Sequence, residues 1–211
     1  MKKILSMVLV LGLLLSFVGC SDKQSPKSDS EVLTNNTTTT TTTEPKTEQR
    51  DYTFRNSVWG DSIQQVKHIE TATFFGENES YLMYEGSISG YSCDIIYQFS
   101  DDKLVNGGYY IQDIYTNAGQ YIAAYDALKE NLYSKYGDAT EDEIIKLERD
   151  SLIETAGPAK ALEYGYVVYR ARWETENTDI MLAMMAENFD ITLVLTYTDK
   201  NYEDTSNMEG I

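Results

Sequence analysis

Histidine is almost missing from this sequence, with His68 alone among 211 residues. That excludes multi-histidine metal sites and leaves little room for the familiar hydrolytic triads. Cysteine is scarce too: Cys20 and Cys93 cannot build a disulfide framework. Basic residues are outnumbered, 17 Lys+Arg against 34 Asp+Glu, for a net charge of −17. Nucleic-acid binding needs a basic surface to displace counterions, so no nucleic-acid partner is expected. No H-E-x-x-H, paired-cysteine or D-x-D-x-D-G pattern occurs, and Gly107-Gly108 lacks both the phosphate-loop pattern and a following lysine. No metal and no cofactor is therefore expected. The chain also has no apolar run of the ~20 residues that a spanning helix needs.

What is present begins with an address. Lys2 and Lys3 precede an apolar stretch from Ile4 to Val18, which has the composition of an export signal. It closes on Phe17-Val18-Gly19-Cys20, which resembles the lipobox of bacterial lipoproteins. Gly19 and Cys20 match that pattern, and Phe17 stands where the family usually has leucine. The resemblance implies that the Cys20 thiol receives a diacylglycerol and that cleavage leaves Cys20 as the new N-terminus. Residues 1–19 are then a signal peptide.

Residues 20–50 carry the Cys and a polar stretch that includes the run Thr37 to Thr43. Only Val32 and Leu33 could seek a core there, so the segment is expected to be a disordered linker. Such a flexible tether spans roughly 30 Å root-mean-square. Two acyl chains hold a protein stably on a bilayer. The expectation is a domain anchored through Cys20 on the outer, extracytoplasmic face of a bacterial membrane.

The charge sits on the part that folds. Residues 1–50 hold six of the 17 basic residues and five of the 34 acidic ones, leaving 11 and 29 for residues 51–211. A net charge of −18 there keeps the domain soluble and repels anionic head groups and polyanions. A basic partner or loosely bound divalent cations would also suit it.

Residues 51–203 are expected to form one α+β domain, with a frayed polar tail over 204–211. Ser62 and Gln65 fit a capping box ahead of a short helix to about Thr71. Ile63, Val66, Ile69 and Glu70 share one face of it, with His68 opposite and exposed. Strands are expected at Tyr81–Glu85, Tyr91–Ser100 and Lys103–Tyr115, with a bulge or bend at Gly107-Gly108. Tyr121, Tyr125, Leu128, Leu132 and Tyr136 form one stripe of a helix from Ala118 to Tyr136, capped by Gly137. Thr140-Glu141-Asp142-Glu143 has the form of a second capping box, predicting a third helix that ends before Gly157-Pro158. Three alternating segments follow, Tyr166–Glu174, Asp179–Ala186 and Ile191–Tyr197. The predicted order is α-βββ-α-α-βββ: antiparallel β-meanders with helices on one side, and a possible helix-plus-meander duplication. Trp59-Gly60-x-Ser62-x-x-x-Val66 also resembles the opening of a helix-then-meander group of secreted bacterial proteins. That group includes small outer-membrane-assembly lipoproteins and the β-lactamase-inhibitor-like fold, and it contains lipoproteins of unassigned role. The resemblance covers Trp59–Val66 plus element order, and implies a fold and a binding habit.

Chemistry is harder to find. Gly60-Asp61-Ser62-Ile63 resembles the nucleophile block of GDSL esterases, which also need a late Asp-x-x-His. Only His68 is available, on the outer face of the same helix, and Ser62 already serves as a cap. Glu141-Asp142-Glu143 and Asp101-Asp102 read as solvated acidic runs rather than calcium ligands. Cys93 alternates with Tyr91, Ile95, Tyr97 and Phe99, as a buried, inert thiol would. Of the 17 tyrosines, those on the helix stripe and at strand positions are explained by the core. Tyr109, Tyr110, Tyr164 and Tyr166 flank glycines and are the candidates for exposed contact. The expected function is a lipid-anchored binding module without catalytic activity, its partner an envelope protein or a glycan. The alternatives are carbohydrate or envelope-polymer binding through exposed aromatics, or a hydrolase with an unrecognised carboxylate pair.

Overall fold

A computed structural model describes residues 51–202. The leader, Cys20, the linker and the tail lie outside the described residues. Helix α1, Ile63–Ile69, opens on the predicted reciprocal cap: the Ser62 hydroxyl accepts from the Gln65 N–H, and the Gln65 side chain accepts from the Ser62 N–H. A four-strand meander follows: β1 Thr73–Glu77, β2 Tyr81–Ile88, β3 Tyr91–Ser100 and β4 Lys103–Ile111. Helix α2 spans Ala118–Tyr136, with the Asn117 side chain accepting from the Gln120 N–H and Gly137 closing it at φ +79°. Then come β5 Glu141–Lys146, α3 Asp150–Glu163, β6 Val167–Glu174, β7 Thr178–Glu187 and β8 Asp190–Asp199.

The α+β class holds, with every strand pair antiparallel. The order is α-ββββ-α-β-α-βββ, which corrects two expectations. Strand β1 was not expected, because four of its five residues are exposed and show no alternation. The helix predicted from Thr140 is strand β5 instead. Its acids do not sit in a helical first turn: Glu141 and Glu143 face Arg172 and Arg170 across the β5–β6 ladder and pair with them. Ile144 and Ile145, β-branched, suit that ladder. Helix α3 starts only at Asp150 and continues past Gly157-Pro158. Gly157, at φ +74°, breaks it, and Pro158 opens the second segment with its φ already set for a helix.

The strands join in one sheet of order β1-β2-β3-β4-β8-β7-β6-β5. Each half runs from its own edge to the middle, and the last strands of the halves, β4 and β8, pair there. The helix-plus-meander pattern therefore repeats, with α3 inserted in the second copy. Three hairpins turn on two residues that both have positive φ: Ser89-Gly90, Asp101-Asp102 and Asn188-Phe189. Double positive φ is what the right-handed twist of a two-residue hairpin demands.

One face of the sheet carries the core. Leu82, Tyr84, Ile95, Tyr97, Tyr109, Tyr169, Trp173, Leu182, Leu195 and Tyr197 point into it. Helices α2 and α3 cover the β6–β8 part of this face, with Tyr125, Leu128, Leu132, Ala161 and Leu162 buried. The other half is filled by the chain ahead of α1. Phe54 sits between the rings of Tyr97, Tyr109 and Tyr197, with centroids 5.1, 5.3 and 5.4 Å away. Trp59 donates its indole N–H to the Thr178 hydroxyl at 2.9 Å, tying this segment to β7.

The glycine pair in β4 belongs to this packing. The bulge expected at Gly107-Gly108 lies earlier, where Gln98 pairs with Asn106 and Phe99 with Leu104, leaving Val105 as the extra residue. Gly107 is needed because a β-carbon there would overlap the Phe54 ring, whereas one at Gly108 would come no nearer than 3.3 Å to Leu195 O. Gly107→Ala should therefore destabilise the fold by about 2 kcal/mol through overpacking. Gly108→Ala should cost clearly less, and paired urea unfolding curves would show the difference.

Candidate functional site

The most densely bonded polar group below the surface is Glu70, whose side chain is fully buried. It closes α1 and accepts from Arg55 Nε and Nη2 at 2.7 and 3.0 Å, from the Tyr97 hydroxyl, and from the Thr71 and Ala72 N–H groups at 2.7 Å each. Burial alone would raise the Glu70 pKa, but the hydrogen bonds from Arg55, Tyr97 and Ala72 outweigh it and hold the carboxyl below its ordinary value. The same burial opposes the charge on Arg55, and its bonds to Glu70 and Tyr109 overcome it. Tyr97 is pushed up by burial and by donating to Glu70. Every partner here is spoken for, so the cluster is a lock between the N-terminal segment, α1 and β3. Sequence reading placed Glu70 on the apolar face of α1. An acid on that face was the signal of a buried partner, but nothing nearby pointed to Arg55.

Ser62 acts as the helix cap, and His68 is exposed. Asp61 is buried, with its carboxylate accepting from the Val58 N–H at 3.0 Å. The Cys93 thiol is buried on the core face, and burial pushes it up to about 11. At neutral pH it is a protonated, apolar group.

The four candidate tyrosines separate into two pairs. Tyr109 and Tyr110 are not exposed: they retain 9 % and 4 % of their surface. They occupy the central strand β4, where one faces the Phe54 cluster and the other the opposite face, so glycine neighbours did not signal a loop. Burial raises the pKa of both hydroxyls. Tyr164 is exposed where α3 ends, and Tyr166, half-buried against the core, lies 5.5 Å from it and edge-to-face. Phe189, from the β7–β8 turn, stands perpendicular to Tyr164 at 6.0 Å. In the sequence Phe189 falls between the segments predicted as strands, Asp179–Ala186 and Ile191–Tyr197, with no neighbouring motif to single it out.

Among the described residues no helix lies over the opposite face of the sheet. One-sided antiparallel sheets normally show polar residues there. Here the middle is apolar: Met83 and Ile96 pair across β2–β3, and Tyr110, Val194 and Ala183 form a buried row across β4, β8 and β7, with Met181 beside it. Acids flank this area in directly opposed pairs. Glu85 faces Asp94, and Glu174 faces Asp179. Burial, then the facing Glu85, holds Asp94 above its ordinary value. Burial and Glu174 do the same to Asp179, although Arg172 and Lys200 pull the other way. The arginines of this face, Arg170 and Arg172, are already paired with Glu141 and Glu143.

Among the described residues no cluster of three metal-ligating side chains is present, and no helix is long and apolar enough to cross a membrane. In comparisons with protein-family models, curated proteins and solved structures, nothing matches this chain.

The Glu70 lock gives a test with a defined sign. Glu70→Gln leaves the Arg55 charge uncompensated and should lower unfolding free energy by about 3 kcal/mol at pH 7. Because the folded carboxyl titrates below its unfolded value, its stabilisation is full above that unfolded value, ordinarily about 4.3, and is lost as pH falls through the folded one. Denaturant curves of the wild type and Glu70→Gln should therefore converge in acid.

Proposed function

We propose that this protein is a binding module without catalytic activity. It is tethered by lipidated Cys20 to the outer face of a bacterial membrane and meets a protein partner through the open face of its sheet. The observation that carries this reading is the apolar middle of that face, where Met83, Ile96 and Met181 keep part of their surface exposed around the buried Tyr110, Val194 and Ala183. An apolar centre with a polar rim is the ordinary anatomy of a recognition surface. The rim chooses the partner's chemistry. Glu85, Asp94, Glu174 and Asp179 oppose one another in like-charged pairs, which destabilise a sheet. Lys200 already pairs with Glu174, so a basic rim on the partner would chiefly relieve Glu85 and Asp94, and the partner presents apolar side chains surrounded by lysine or arginine. The domain's −18 would also speed encounter with such a surface.

The tether supports the same reading. A linker that reaches roughly 30 Å lets the domain search the space above the membrane. Absence of catalysis rests on the use of Ser62 as a helix cap and the outward position of His68.

The test is crosslinking in membranes that carry the full-length protein, followed by capture. The wild type should trap a partner with a basic contact surface, in a salt-sensitive way. Met83→Glu with Met181→Glu should abolish capture while leaving the thermal midpoint within a few degrees. Capture that survives both 0.5 M salt and the double substitution would overturn the sheet face as the contact. Cys20→Ala should release the protein from the membrane fraction, and retention there would sink the anchor.

A further inference from the structure

The aromatic corner at the far end of β7 carries its own inference, independent of the sheet face. Its centre is Phe189, 67 % exposed, at φ +67°. Positive φ crowds the β-carbon of any L residue, and a bulky side chain is a true outlier there. The preceding residue, Asn188, is also at positive φ, so the position calls for the glycine of an Asn-Gly turn. Phenylalanine leaves two thirds of its surface exposed and so buries little in exchange. Backbone strain with so small a packing return is the mark of a side chain kept for contact.

The neighbours make that contact a shaped one. Gly165, at φ +69°, lets the chain pass so close to β7 that a β-carbon would lie 2.9 Å from Ala186 O. This close approach sets Tyr164 and Tyr166 beside the hairpin. Tyr164, 44 % exposed, and Phe189 meet at 89°, forming a corner backed by Tyr166, 5.5 Å from Tyr164. Lys160 Nζ lies 5.7 Å from the Tyr164 ring and pairs with Glu163 at 2.6 Å.

We infer that this corner binds a neutral saccharide, with a sugar ring stacked by its C–H face on Phe189 or Tyr164. Phe189 and Tyr164, with the part of Tyr166 left uncovered, offer at most on the order of 300 Å², far below the ~800 Å² per partner of a stable protein interface, but enough for one or two sugar rings. Lys160 is already neutralised by Glu163, and the domain's −18 repels polyanions and anionic head groups, so an uncharged ligand suits the site. The Tyr hydroxyls, the Asn188 amide and the Glu163 carboxylate can hydrogen-bond its hydroxyls.

Titration of the intact protein in detergent with neutral tetrasaccharides, chitotetraose and maltotetraose, tests this. At least one should bind saturably, and Phe189→Ala and Tyr164→Ala should each weaken it tenfold or more. Phe189→Gly separates contact from folding: it should lose binding while its thermal midpoint rises by about 3 °C, because the turn strain is relieved. Absence of saturable binding by both sugars, or binding indifferent to Phe189 and Tyr164, overturns the inference. Phe189-dependent quenching by brominated phosphatidylcholine bilayers, without sugar binding, would reassign the corner to lipid and equally overturn it.

Discussion

Five registered pairs, from Asn106↔Thr198 to Tyr110↔Val194, join β4 to β8 and turn two four-stranded halves into one sheet. Everything else in the domain is arranged around that seam. Phe54 lies on it, against Tyr109 of one half and Tyr197 of the other, in space that Gly107 leaves open. The Arg55–Glu70 lock, one residue further on, holds this plug in place from the α1 side. The apolar row on the opposite face crosses the same seam, because Tyr110 and Val194 are themselves a seam pair. Core and open face are thus two sides of one strand pairing.

The division of labour between the two faces follows from where the helices go. Both long helices lie on the core side, so the inward positions of β6–β8 are as apolar as those of a fully covered sheet. The outward positions carry the acid pairs, in which Lys200 partners Glu174 and the Gln112 amide donates to Asp94. Features that work against the fold are the ones that point to function here: like charges set opposite each other, and an aromatic residue in a turn built for glycine.

Local sequence revealed what local interactions decide. The stripe from Tyr121 to Tyr136 and the Ser62–Gln65 cap were legible because their partners lie within a few residues. Strand β5 was not, since Thr140 and Glu143 imitate a helix start and the arginines that claim its acids lie 27 and 31 positions away. Tyr109 and Tyr110 were misjudged for a related reason. Nothing near β4 says that it will be a central strand, covered on one side by Phe54 from far upstream. Of the site residues, Tyr164 and Tyr166 were visible as aromatics beside a glycine. Phe189 became visible only when its backbone conformation and its ring partner were known together.

The strand made last is the strand that lies in the middle. As the chain emerges, β4 and β7 each present an open edge of unpaired N–H and C=O groups. Neither edge can close until β8 slides between them. A chain that ended before Asp190 would hold two half-sheets without the strand that joins them.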